Sequence, residues 1–353
     1  LGIGRYFRAA FLFTVFGLAA AAALGYAEAG GWRGASAFLF IAAVLAVLEV
    51  SLSFDNAIVN ARILRGMDGI WRRRFLTWGM IIAVFGMRII FPLIIVAFAA
   101  HINPLAALKL AIFNPKTYAR IMDGAHLGVS AFGGTFLLMV GLSFFFDRNK
   151  NIHWIKFIEK AAAGLAKAHG IEMAIALIIM LSVTSFLPSD EKLSFLTAAL
   201  YGLLTFIAIE ALSAFLGAGE SEGGDLKRAG LGAFLYLETL DAAFSFDGVI
   251  GSFALTANIF IIAIGLGIGA FYVRSLTILL TERGNPAQYR YLEHGAFYAI
   301  LALALIMYAQ GLFPVPEMVT GGIGALFIGA GYLSSVHRAR KRAESADISG
   351  EQP

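Results

Sequence analysis

Residues 49–60 read EVSLSFDNAIVN, placing a glutamate, an aspartate and an asparagine inside a stretch otherwise as apolar as lipid. A second apolar run carries ETLDAAFSFDGVIGS at residues 238–252. Aligning SFDNAIV (53–59) with SFDGVIG (245–251) sets Glu49 opposite Asp241 and Asp55 opposite Asp247. Both copies then read acid, five residues, acid, with Ser-Phe before the second acid. A linked match follows each copy. GMIIAVFGMR ends in Arg88 and GLGIGAFYVR ends in Arg274, each opening on a glycine nine positions earlier. Two matches in the same order on neighbouring segments indicate an internal repeat.

The composition sets the environment. Of 353 residues, 59% are hydrophobic and 14% charged. A soluble globular chain is typically about 45–50% apolar and about 25% charged. This chain has too little polar surface to cover itself in water, and it reads as an integral membrane protein. With no cysteine, disulfides, thiolate metal sites and cysteine nucleophiles are excluded. Nothing in the pattern points to a nucleic acid. The polar tail from Glu344 to Pro353 is expected to be disordered.

A helix needs roughly 20 apolar residues to cross a hydrocarbon core ~30 Å thick. About ten segments qualify. The first five are Arg8–Ala27, Ala35–Ala61, Phe75–Ala100, Leu127–Phe146 and Ile171–Leu187. The second five are Leu193–Gly217, Gly230–Ala254, Ala257–Leu280, Gly295–Phe313 and Met318–Val336. The first segment is read as a retained helix rather than a cleaved signal, because its apolar run exceeds a usual signal core. Lys and Arg concentrate in cytoplasmic loops. Arg62, Arg65, Arg72, Arg73 and Arg74, the stretch 147–170, and HRARKR (337–342) fall on one side if there are ten crossings with both termini cytoplasmic. The loop His101–His126, with Lys109, Lys116 and Arg120, is the exception. Within the central loop, Trp154, Ile155, Phe157, Ile158, Ala161, Ala162 and Leu165 recur at helical spacing among lysines. This predicts an amphipathic helix on the cytoplasmic leaflet.

The matched segments are five crossings apart, an odd number, so the copies have opposite orientation. The expected fold is all-α, about ten transmembrane helices in two inverted-topology repeats, an architecture of secondary transporters with a site at the repeat interface. The first repeat spans residues 1–187 and includes the amphipathic segment 150–168. The second spans 188–336, and a basic then polar tail covers 337–353.

A charge at the bilayer centre costs at least ~2.5–3.5 kcal/mol, so intramembrane acids face a cavity, a partner or an ion. Arg88 and Arg274 are the charge-compensating candidates. With Glu238 protonated, Glu49, Asp55, Asp241 and Asp247 against the two arginines leave minus two, matching one divalent cation. Residues six apart on a regular helix are separated by ~9 Å and ~120°, so Glu49 and Asp55 cannot grip one ion from an unbroken helix. Antiparallel packing around Leu52 and Phe244 brings Glu49 level with Asp247, and Asp55 level with Asp241. Asn56, Ser53 and Ser245 add neutral oxygens, and Gly248 is expected to open its helix and free carbonyls. Glu238 and Glu210 are candidates for an additional metal or proton path. An all-oxygen donor set suits magnesium, calcium or manganese better than copper or zinc. The six histidines, at 101, 126, 153, 169, 294 and 337, fall outside both motifs and read as loop or interface residues.

The segments LEVSLSFDNAIVNA, FLTWGMIIAVFGMR, AFGGTFLLMV, LDAAFSFDGVIGSFALT, LGLGIGAFYVRSLT and YLEHGAFYAI resemble the TerC-like integral membrane proteins, grouped with the LysE-type exporters. The similarity runs from the first segment to about Ser335 and is nearest to a branch catalogued as a domain of unknown function. The resemblance implies cation export, manganese foremost, from a plasma membrane, without enzymatic activity. Proton entry is the simplest driver, and a homo-oligomer is left open. Two alternatives come from other classes. An accessory protein for metal loading or tellurite-type stress resistance carries the same features. An intramembrane aspartyl enzyme needs two acids sharing a proton across one water, which fits four symmetrically repeated acids less well.

Overall fold

The computed structural model describes residues 3–28, 30–79, 81–147, 150–168, 170–217, 230–283 and 290–349. Among these residues there are helices and turns but no strand. Every segment expected from hydropathy is helical, although not every one is whole. The first is α1 (Arg8–Glu28). The second is divided into α2 (Gly31–Leu52) and α3 (Phe54–Arg65). A short α4 (Gly69–Arg74) leads into π-helical stretches at Phe75–Gly79 and Ile82–Ile90, then α5 (Phe91–Ala99) and α6 (Pro104–Phe113). The first half ends with α7 (Pro115–Phe145), α8 (Lys156–Leu165) and α9 (Ile171–Phe186). The remainder comprises α10 (Lys192–Gly217), α11 (Gly230–Leu255), α12 (Ile259–Arg283), α13 (Leu292–Ala309) and α14 (Glu317–Ser349).

Among the described residues, seven helices are long and apolar enough to cross a membrane. The pair Phe85–Ala99 and Pro104–Phe113, bent by 105°, adds an eighth if it is one span. The two remaining expected crossings fall short for different reasons. At 16 residues, α9 is shorter than the roughly 20 needed, and α11 carries Glu238, Asp241 and Asp247 within 26 residues. Phe16, Phe40, Phe215 and Leu326 point outward from α1, α2, α10 and α14. Large apolar side chains displayed on four helices form a lipid-facing surface. The chain is a multi-pass helical membrane protein.

The bend corrects one expectation. Most of residues 101–126, expected as a loop, is helical, in α6 and the first turns of α7. Asn103 Oδ1 accepts the Ala106 N–H at 2.7 Å, and Asn114 Oδ1 accepts the Thr117 N–H at 3.3 Å. Each asparagine is followed by a proline that opens α6 or α7. An Asn cap and Pro in the first turn start a helix strongly. The tail also differs, since α14 runs through Ser349; residues 350–353 lie outside the described residues.

The core is built on α7. AFGGTF (131–136) packs closely: a Cβ on Gly134 would lie 3.0 Å from the Tyr308 ring, and one on Gly202 of α10 only 2.3 Å from the Phe132 carbonyl oxygen. Small residues at such crossings let helices in lipid approach backbone to backbone.

The segment expected to be amphipathic contains α8. Its apolar side chains Phe157, Ile158 and Leu165 are exposed, but Glu159 is fully buried. Glu159 meets Lys150 at 3.0 Å, His294 at 3.4 Å and His153 at 3.5 Å, and accepts the Trp154 and Ile155 N–H groups. Burial raises this carboxyl, but the hydrogen bonds and charges of His294 and Lys150 outweigh it and hold it at about 2. Because the folded value is depressed, its contribution to docking α8 is complete above its ordinary value of 4.5 and disappears as pH falls toward about 2. In a variant retaining only Trp154, fluorescence should stay constant through mild acid and change only within that window. A transition near neutral pH would refute this account.

Candidate functional site

The two motif helices cross antiparallel. Asn56 Nδ2 donates to Asp241 Oδ1 at 2.7 Å, and Asn60 Nδ2 donates to the same oxygen at 2.8 Å. At the other level, a Cβ on Gly248 would lie 3.3 Å from Glu49 Oε2 and 3.9 Å from Leu52. Numbers rise along α2 and α3 as they fall along α11. Glu49 thus comes level with Gly248, adjacent in sequence to Asp247, whose side chain lies outside the described residues. At the other level, Asn56 and Asn60 reach Asp241, while Asp55 does not line the shared cavity. A helix turns ~100° per residue, so Asn56 and Asn60, four apart, share a face that Asp55 leaves. Asp55 is buried, and its Oδ1 accepts the Asn56 N–H at 2.9 Å.

The helix break falls at Ser53, not at Gly248, since α11 is continuous. Ser53 has φ −108° and ψ 15°, outside helical geometry. Its hydroxyl donates to Glu49 Oε1 at 2.9 Å, while the Asn56 N–H is taken by Asp55. The Asp55 side chain thus competes with the helical ladder for that N–H. Glycine at 248 instead serves close approach.

Arg88 stands on the π-helical stretch Ile82–Ile90, a geometry often found at functional sites. Its guanidinium donates to the Ala83 carbonyl and to Glu49 Oε1, closing a salt bridge with only 4% of Arg88 and 3% of Glu49 exposed. Glu49, Ser53 and Arg88 therefore form one buried unit.

Beside it lies a cavity of about 50 Å³ whose walls include Glu49, Asn56, Asn60, Asp241, Ser245 and Arg274. One water needs roughly 10–15 Å³ by this measure, so there is room for several waters or a partly hydrated ion. Asn56 Oδ1, Asn60 Oδ1 and Ser245 Oγ are buried with no hydrogen-bond partner among the described residues. Such groups cost about 1–3 kcal/mol each when unsatisfied. Both Glu238 oxygens share this condition, and a Cβ on Gly79 would lie 2.6 Å from one of them. Glu210 is exposed on α10 and does not line the cavity. Among the described residues, no three His, Asp or Glu side chains converge as a metal-ligating cluster. The set comprises two carboxylates at different levels with neutral oxygens between them.

Reading by sequence missed Asn60 as a site residue and the π-helical geometry around Arg88. The signal for Asn60 was present, as a polar residue four positions after Asn56. No curated protein and no solved structure matches this chain. A family described as "Protein of unknown function (DUF475)" matches residues 54–342, most of the sequence and all of the second motif, and the chain belongs to that family.

Proposed function

We propose that this chain is a secondary transporter that exports a divalent cation, manganese foremost, in exchange for protons. The observation that carries this reading is the set of unpartnered buried oxygens at Asn56, Asn60 and Ser245 beside Asp241 and Glu49. Hard oxygen donors suit manganese, magnesium or calcium. The resemblance to TerC-like proteins supplies the direction and favours manganese among the three. Asp241, Asn56, Asn60 and Ser245 form the first level of the path. Glu49 with Asp247 forms the second, and Asp55 supports the break from behind.

Arg88 gives the site a resting state. With its guanidinium on Glu49, that carboxylate is neutralised without a cation. A divalent ion arriving from Asp241 competes for Glu49 and displaces the guanidinium. Moving two charges out against ~100 mV, inside negative, costs ~4.6 kcal/mol, so export must be coupled. Carboxylates emptied of metal take up protons on the return.

The matched glycines support an inverted repeat. A Cβ on Gly265 would lie 2.6 Å from Leu45 of α2, while one on Gly79 would strike Glu238 of α11. Each glycine thus abuts the motif helix of the other half. Ten crossings with both termini cytoplasmic, in a plasma membrane, complete the proposal.

The test is flux in vesicles containing only this protein. An imposed pH gradient should drive manganese movement opposite to the protons. Absence of cation movement under every gradient would refute the assignment. Glu238→Gln tests the proton path: cation binding should persist while gradient-driven movement falls. Unchanged coupling in that variant would remove Glu238 from the path.

A further inference from the structure

A second cavity, about 720 Å³, lies apart from the first, between the N-terminal part of α7, the last turns of α11 and the segment after α13. Its polar residues are Arg120, Asp123, His126 and Gln310, and α11 contributes Ile250, Gly251, Phe253 and Ala254.

Its side of the molecule follows from the ion pairs. Arg65 joins Glu293 at 2.8 Å and the Leu280 carbonyl at 3.2 Å, gathering the end of α3, the end of α12 and the start of α13 into one arginine-rich end. Since α11 runs antiparallel to α3, its last turns lie at the opposite end, as does the end of α13. The first cavity reaches toward the arginine-rich end, where Asn60 and Thr277 line it. The second therefore opens at the other end.

The two cavities share α11. Ser245 lines one and Ile250 the other, about 7.5 Å apart along the helix axis at ~1.5 Å per residue. Only residues 246–249 separate them, and there Gly248 meets Glu49 and Leu52. We infer that the two cavities are the halves of one path for a hydrated divalent cation, closed here by the contact of Glu49 and Leu52 with Gly248. This rests on the transport reading and extends it by locating the outlet. The vestibule suits release. Asp123 and His126, three apart on α7, offer oxygen and nitrogen ligands, while the neighbouring Arg120 offsets the carboxylate charge, so a cation is held weakly.

The absence of cysteine makes the test direct. Ala119→Cys and Gly251→Cys report on the vestibule, and Thr277→Cys on the first cavity. Each variant, in the full chain in sealed oriented membranes, is exposed to a small charged thiol reagent from one side at a time. The first two should react only from the side opposite the arginine-rich end, and Thr277→Cys only from the arginine-rich side. Added manganese should slow all three. Reaction of Gly251→Cys from the arginine-rich side, or failure of both vestibule cysteines to react before denaturation, overturns the path. One-sided labelling slowed by manganese in a protein that moves no manganese would uphold the two-mouthed path and refute export. Flux without vestibule labelling would do the reverse.

Discussion

Arg88→Gln should abolish cation transport and lower stability by about 3–5 kcal/mol, the usual cost of leaving one partner of a buried ion pair uncompensated. The environment justifies the upper part of the scale. Glu49 and Arg88 are almost wholly enclosed, and the guanidinium also satisfies the Ala83 carbonyl on the π-helical turn. Glutamine is too short to bridge both acceptors and carries no charge. Some metal binding should remain, because Asp241 and its asparagines are untouched. The double variant Glu49→Gln/Arg88→Gln separates structure from function. Removing both charges should restore most of the stability, whereas transport should stay absent because the second level has lost Glu49, one of its two carboxylates. Thermal unfolding in detergent and vesicle flux measure the two effects. If Arg88→Gln unfolds like the parent and still transports, neither role stands.

Several features of this fold could be read from residue order alone. The hydropathy pattern placed helix in every expected crossing because lipid demands long apolar segments with their backbone satisfied internally. The antiparallel register of the motif helices followed from the repeated acids, with Asp241 at Asn56 and Glu49 at Gly248. What escaped depends on local competition that hydropathy does not measure. Asn103-Pro104 and Asn114-Pro115 converted a supposed loop into two helices through capping. The helix broke not at Gly248 but at Ser53, where the Asp55 side chain takes the Asn56 N–H from the ladder and the Ser53 hydroxyl turns to Glu49. Glycine in α11 met a different demand, the approach of Glu49. Nor does hydropathy place the one acid of α8. Glu159 turned inward because Lys150 and two histidines, distant in sequence or outside the helix, converge on it. Pairing across the fold decided that position.

Asp241→Asn should leave the fold intact and weaken manganese binding at least about a hundredfold, equivalent to ~2.8 kcal/mol at 1.4 kcal/mol per decade. The substitution preserves shape and an amide oxygen that can still accept from Asn56 and Asn60, so the α3–α11 crossing should survive. It removes the only carboxylate charge at that level of the cavity among the described side chains. The three neutral oxygens nearby cannot replace that charge for a divalent ion. Asp55→Asn provides the contrast, since Asp55 is buried beside the break but does not line the cavity. It should reduce binding less and affect helicity around Ser53 more. Asp247→Asn should resemble Asp241→Asn in flux, by removing the acid expected beside Glu49 at the second level. Isothermal titration with manganese on the purified variants gives the binding order, and manganese retention in expressing cells gives the transport order. If Asp241→Asn binds manganese as the parent does, the cavity is not the cation site, whatever flux the protein supports.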